Sequence, residues 1–175
     1  MGGRKTFVLV GMLAGLAGRG EDFRLEATGV RFGLSSHDPG HRFYQGEAYT
    51  RWQVPWPVNL GRDWVLQPQL DLSAGMLHGR SADGFVGTLG PVLQLAPAGF
   101  PLQLEGGISP TGLSEDVFGD RDFGTRIQFT SHLGLRWEPT QHLELGYRFQ
   151  HMSNAGLGDH NPGLNLHMFS VGYRW

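Results

Sequence analysis

From Thr28 to the end of the chain, apolar and polar residues alternate with period two, in eight segments separated by turn residues. Period two marks β-strands with one apolar face. The first segment, Thr28 to Ser35, puts Val30, Phe32 and Leu34 on one side. The second, Tyr44 to Val54, sets Ala48, Trp52 and Val54 against Gln45, Glu47, Arg51 and Gln53. The third, Trp64 to Met76, sets Trp64, Leu66, Leu70 and Leu72 against Gln67, Gln69, Asp71 and Ser73. The fourth and fifth are Phe85 to Leu95 and Leu102 to Ile108. In the sixth, Arg126 to Trp137, Ile127, Phe129, Leu133, Leu135 and Trp137 oppose Gln128, Thr130, His132 and Arg136. The seventh, Leu143 to Ser153, sets Leu143, Leu145, Tyr147 and Phe149 against Glu144, Arg148 and Gln150. The eighth, Leu164 to Trp175, carries Phe169, Val171, Tyr173 and Trp175 on its apolar side. Pro39-Gly40, Ala82-Asp83-Gly84, Pro97 to Pro101 and Glu138-Pro139-Thr140 supply turns.

Several segments reach the length of about ten residues that a tilted strand needs to cross a bilayer. Their polar faces are strongly polar, their number is even, and aromatics sit near strand ends. The pattern predicts an all-β fold, an eight-stranded antiparallel transmembrane β-barrel. A soluble sandwich or lipocalin-like barrel is the rival. Mean hydropathy of −0.25 fits both, because a barrel strand hides its apolar residues on alternate positions. At eight strands the interior is filled by side chains, which excludes a porin. The chain ends on Trp175 after Tyr173, an ending that resembles those of outer-membrane barrels.

The N-terminus reads as a secretory signal over residues 1–17, cut near Gly18, with the barrel over 18–175. Arg4 and Lys5 are followed by an apolar run from Phe7 to Ala17, too short to span a bilayer as a helix. Fourteen Lys and Arg against sixteen Asp and Glu leave no basic footprint for nucleic acid. Without cysteine there is neither a disulfide framework nor a thiolate site. No H-E-x-x-H, G-x-S-x-G or phosphate-loop pattern occurs, so no metal and no cofactor is expected. His132 falls on the polar side of its strand and reads as part of an internal polar cluster.

Parity singles out a pair of residues at the end of the seventh segment. Continuing the apolar count past Phe149 places His151 and Ser153 on the lipid-facing side. A histidine and a serine at i and i+2 of a strand project side by side, as a nucleophile and its base require. The plainer reading is two interfacial polar residues where the strand leaves the membrane.

The string His151-Met152-Ser153-Asn154-Ala155-Gly156, with the run from Asn161-Pro162-Gly163 to Leu164-Asn165, resembles the lipid A 3-O-deacylase (PagL) family of outer-membrane barrels. That family carries H-x-S-N-A-G on its penultimate strand and G-[LI]-E entering the last. A weaker likeness extends through Gly106-Gly107-Ile108 and the Gly119-to-Phe129 segment. The resemblance implies an outer-membrane enzyme that removes the 3-linked acyl chain of lipid A, the lipid anchor of lipopolysaccharide. It implies Ser153 as nucleophile, His151 as general base, and oxyanion donors near Asn154 and Gly156, where a turn would need such residues in any case.

One position departs from the family pattern: Asn165 stands where the family has its glutamate. Asn165 and His167 share the lipid-facing parity of the eighth segment, so antiparallel pairing puts one of them beside His151. An amide oxygen can hold the imidazole tautomer but cannot stabilise the imidazolium by charge. In serine proteases the amide in place of the triad acid costs about 10⁴ in kcat. Three readings compete: a working Ser–His–Asn triad, rescue by another acid such as Asp159, and a weakened relative. A non-enzymatic barrel serving adhesion or membrane integrity is the rival from another class. A palmitoyl-transfer barrel would need an acyl pocket inside, against which the Gln, Arg and Glu of the polar faces argue.

Overall fold

The structure, a computed structural model, describes residues 23–36, 42–79 and 82–175. The expected signal over residues 1–17 and the Pro39-Gly40 turn lie outside them. Eight long strands form the wall: β1 (Arg24–Ser35), β2 (Phe43–Gln53), β3 (Trp64–Gly79), β4 (Ala82–Pro97), β5 (Leu102–Leu113), β6 (Ile127–Trp137), β7 (Leu143–Ser153) and β8 (Leu164–Arg174). Each is antiparallel to its chain neighbours, and β8 pairs back onto β1 from Ala27–Arg174 to Ser35–Leu166, closing the barrel.

The wall is inside-out relative to a soluble protein. Phe32 and Leu133 are more than 60 % exposed, whereas Arg51 and Arg136 are 1 % exposed. A sandwich or lipocalin-like barrel would bury the first pair and expose the second. Only a solvent of hydrocarbon around the barrel makes this arrangement favourable.

The interior is layered. In the half nearer the chain termini, Arg31, Arg51, Arg136 and Arg148 interleave with Glu47, Asp71, Glu105 and Glu144, all buried. Arg31 bonds Glu47 at 3.0 Å and also Asp71, Arg148 reaches Glu47 at 3.1 Å, and Arg136 reaches Glu105 at 2.6 Å. Arg51 joins Glu144 and, at 3.2 Å, Glu26. Matched charges with multiple partners keep each ion solvated by protein groups. The His132 side chain points inward, with Nε2 4.0 Å from Glu105.

At the far end the interior turns apolar, which the expectation of a Gln, Arg and Glu filling missed. Phe43, Leu77, Val86, Leu113, Met152, Leu164, Leu166 and Met168 line it. The β5–β6 connection folds into it. Phe118 and Phe123 meet Phe43 in a ring of edge-to-face contacts with centroids 5.8–6.0 Å apart. The mouth is plugged by protein.

Three boundaries also differ. Ala82-Asp83-Gly84 lies within β4, because β3 and β4 pair up to Gly79–Ala82. β5 continues past Ile108 to Leu113, and a short ribbon, Val58–Gly61, pairs with the start of β3. Its flanking prolines, Pro55 and Pro57, mask it in the sequence.

The charged layer predicts an asymmetric mutational response. Arg51→Met leaves Glu144 with only the Tyr49 hydroxyl at 3.1 Å and Arg136 Nη1 at 3.7 Å, and should cost up to about 3–5 kcal/mol. Arg51→Met combined with Glu144→Met should cost less than the single change. The urea midpoint of unfolding in detergent micelles, read by the gel shift between folded and heated protein, checks both.

Candidate active site

β7 and β8 form the hairpin that carries the site. Along β7 Glu144, Arg148, Gln150 and Met152 are buried and Tyr147, Phe149 and His151 are exposed on the outer wall, with Ser153 half-buried at the strand end. The β7–β8 register pairs His151 with Asn165 and Phe149 with His167. Of the two histidine neighbours expected from parity, Asn165 is therefore the one opposite His151. Its Oδ1 lies 2.7 Å from His151 Nδ1. An amide oxygen only accepts, so Nδ1 carries the proton and Nε2 presents its lone pair. That lone pair is what a serine two positions along the same face needs from a base.

Asp159 is exposed on the loop beyond, beside Asp120, Asp122 and His160, and the His151 Nδ1 position is held by Asn165. On the other side, β6 brings Ser131 into register with His151. Counting odd positions along the sixth strand reaches Ser131 between Phe129 and Leu133, a signal available in the sequence. A second polar pair lies one step deeper in the wall. Tyr147 Oη is 2.8 Å from His167 Nδ1, and the His167 ring packs edge-on against Phe149.

The turn after Ser153 is built around Asn154, which is fully buried. Its Nδ2 donates to Phe123 O at 3.0 Å and to His160 O at 2.6 Å, and its Oδ1 accepts from Gly156 N–H at 2.9 Å. The Asn154 N–H donates to Asn161 Oδ1 at 3.2 Å. Asn154 thus ties the turn after Ser153 to the loop that plugs the barrel. Gly124 and Gly158 permit the tie: a Cβ on Gly158 would stand 2.7 Å from Gly124 O. Ala155 and Gly156 both adopt positive φ, 52° and 82°. Sequence reasoning reached Asn154 and Gly156 only as turn residues or oxyanion donors. The link to Phe123 joins positions 31 apart, which no local pattern reports.

The family model described as lipid A 3-O-deacylase (PagL) matches residues 44–174. This chain belongs to that family. Among curated deacylases, the lipid A deacylase PagL of Bordetella bronchiseptica is 30% identical over 124 residues, covering 69% of this chain and 70% of the relative. A crystal structure of the outer membrane enzyme PagL superposes with TM-score 0.69 at 20% identity, covering 82% of this chain and 97% of that one. A de novo designed transmembrane β-barrel follows at TM-score 0.54 and 12% identity, over 89% and 98% of the two chains. The N-terminal barrel of Pseudomonas aeruginosa OprF gives 0.52 at 13%, over 88% and 100%. At such identities the solved structures speak to the fold. The match from 44 to 174 takes in the whole of β7 and β8.

The tie through Asn154 generates a prediction. Asn154→Ala removes two donors and the acceptor for Gly156, so the loop 154–163 should become protease-sensitive while the barrel stays folded. Limited proteolysis of the folded, heat-modifiable protein checks it.

Proposed function

We propose that this chain, a lipid A 3-O-deacylase of the outer membrane, works through Ser153 as nucleophile, His151 as base and Asn165 as the group that orients it. The observation that carries the reading is the 2.7 Å contact between His151 Nδ1 and Asn165 Oδ1 on the lipid-facing wall. A hydrogen-bonded pair of polar side chains facing hydrocarbon is costly there and marks a functional site.

In this mechanism Ser153 Oγ attacks the carbonyl carbon of the 3-linked acyl ester while His151 Nε2 takes the hydroxyl proton. The tetrahedral intermediate collapses, and the imidazolium returns that proton to the departing lipid A oxygen. An acyl-serine remains. Water, deprotonated by the same nitrogen, attacks it and releases the fatty acid. The oxyanion is met in the turn after Ser153. Gly156, exposed beyond Asn154, offers its N–H when Asn154 Oδ1 yields or shares it. Asn154 itself, buried and bonded on all sides, shapes the turn.

Asn165 supplies one half of what a carboxylate supplies. It fixes the tautomer, so the imidazole is ready to accept the proton. It adds no charge to stabilise the imidazolium. With both termini on the periplasmic side, as in outer-membrane barrels, β7 rises outward and Ser153 sits at the outer-leaflet level. The acyl chain can then stay in hydrocarbon along β7 and β8 while the ester reaches the serine.

Ser131, in register with His151 from β6, is a rival nucleophile. Ser153→Ala and His151→Ala should each abolish deacylation of purified lipopolysaccharide, with the heat-dependent gel shift retained. Ser131→Ala should leave release of the 3-linked chain within about threefold of wild type, far short of the loss of about 10⁶-fold expected for a nucleophile. An inactive Ser131→Ala beside an active Ser153→Ala would reverse the assignment.

Asn165 gives the finer test. Asn165→Ala should lower kcat by more than about tenfold with KM little changed, because only transition-state stabilisation is lost. Asn165→Glu should match or exceed wild type, since a carboxylate orients the same tautomer and adds charge. Asp159→Asn should be silent; a damaging Asp159→Asn with a silent Asn165→Ala would make Asp159 the acid.

A further inference from the structure

The β5–β6 connection contributes more to this hairpin than a plug. Its middle forms a tight ribbon, Val117–Phe118 against Arg121–Asp122, turning at Gly119 with φ 66°. Phe118 and Phe123, on either side of the turn, are buried in the barrel mouth. Two aromatic anchors embedded in a packed core leave the ribbon little freedom. Arg121 projects from it toward the catalytic hairpin, its guanidinium 5.9 Å over the Phe123 ring. Nη2 donates to Gly163 O at 2.6 Å and to Pro162 O at 3.3 Å.

Gly163 is the residue pressed against the catalytic histidine. It is buried, holds φ at 62°, and a Cβ placed on it would lie 3.0 Å from His151 Cε1 and 3.8 Å from Nε2. The Gly163 backbone therefore forms one wall of the slot in which the imidazole stands. Nδ1 is fixed by Asn165 from the paired strand, and the edge carrying Cε1 and Nε2 is confined by Gly163. A shift of that backbone by a fraction of an ångström changes where Nε2 points.

We propose that Arg121 is a positioning residue for catalysis: by gripping the Pro162 and Gly163 carbonyls it holds the loop backbone against His151 and aims Nε2 at Ser153. The inference rests on the Ser153–His151 reading above. The surroundings speak against a phosphate-binding role for the same side chain. Asp120, Asp122 and Asp159 line the same surface hollow, so an incoming phosphate would meet three carboxylates. A guanidinium suits the task because it stays charged and planar while the two N–H groups of Nη2 serve both carbonyls.

Misplacement of a catalytic group by about 1 Å can cost about 10²-fold. Arg121→Ala, in the full-length protein folded in detergent micelles, should therefore lower kcat by about 10- to 100-fold on purified lipopolysaccharide, with KM within about twofold. Arg121→Lys should recover part of the loss. Guanidinium ion added at millimolar concentration should restore Arg121→Ala several-fold and leave wild type unaffected, a rescue that a merely destabilised barrel would not show. Gly163→Ala should give the same kcat signature, and the double variant should be no worse than about the poorer single, since both act on one contact. Wild-type kcat in Arg121→Ala overturns the proposal. So does a loss confined to KM, which would make Arg121 a substrate contact. Ser153→Ala and His151→Ala run alongside separate the two levels: if either stays active, the site reading fails; if both are dead and Arg121→Ala is normal, only the positioning role fails.

Discussion

Hydrocarbon offers the backbone no hydrogen-bond partner, so every N–H and C=O of the wall must find one within the wall. The pairing of β8 with β1 meets that demand by removing the last free edges. Closure then fixes everything else. A closed ladder cannot slip by one residue without turning the whole apolar set inward, so parity becomes absolute. Phe149 faces lipid and Gln150 the interior, and the same count puts His151 outside and Met152 inside. The chemistry of the site follows from the backbone's lack of partners in oil.

A filled interior stabilises the same wall by a different means at each end. Near the termini, four arginines and four carboxylates from six strands cross-link the barrel through ion pairs that no longer compete with bulk water. At the far end the wall is held by packing, and the phenylalanines of the β5–β6 loop complete the core. The change of chemistry has a purpose at the hairpin. Met152, Leu164, Leu166 and Met168, the inward neighbours of His151, Asn165 and His167, sit on a dry, close-packed base. Such a base does not rearrange with ionic strength, and the side chains of His151 and Asn165 on its reverse inherit that rigidity.

The wall was legible in the sequence because each strand meets two solvents, oil outside and a polar interior, and alternation records both. Leu143 to Ser153 could be assigned to its last residue, and the H-x-S-N-A-G string located the hairpin. Parity alone narrowed the partner of His151 to Asn165 or His167, and register settled it. Where the interior itself turns apolar the record changes sign: around Met152 and Leu164 the inward residues are apolar and the outward ones, His151, Ser153 and Asn165, are polar, and the period does not report the plug that fills the mouth. Phe118 and Phe123 look like ordinary loop aromatics until the barrel mouth is seen around them. The contacts of Asn154 with Phe123 and of Arg121 with Gly163 join separate loops, and spacing along the chain has no means of expressing them. Ser131 was readable and is simply small enough to pass as a gap in an apolar stripe.

An outer-membrane barrel whose proposed nucleophile and base lie on the outer wall meets its lipid in two dimensions. Enzyme and lipid share one leaflet, and neither leaves it to meet the other. Collision frequency is then governed by how many lipid molecules in that leaflet carry the ester, not by the amount in the surrounding volume. Diluting the lipid with an inert amphiphile slows the reaction even when the total quantity per millilitre is constant. The released fatty acid is likewise delivered sideways into the same plane. It stays near the wall, in the plane of its own substrate, until lateral diffusion removes it.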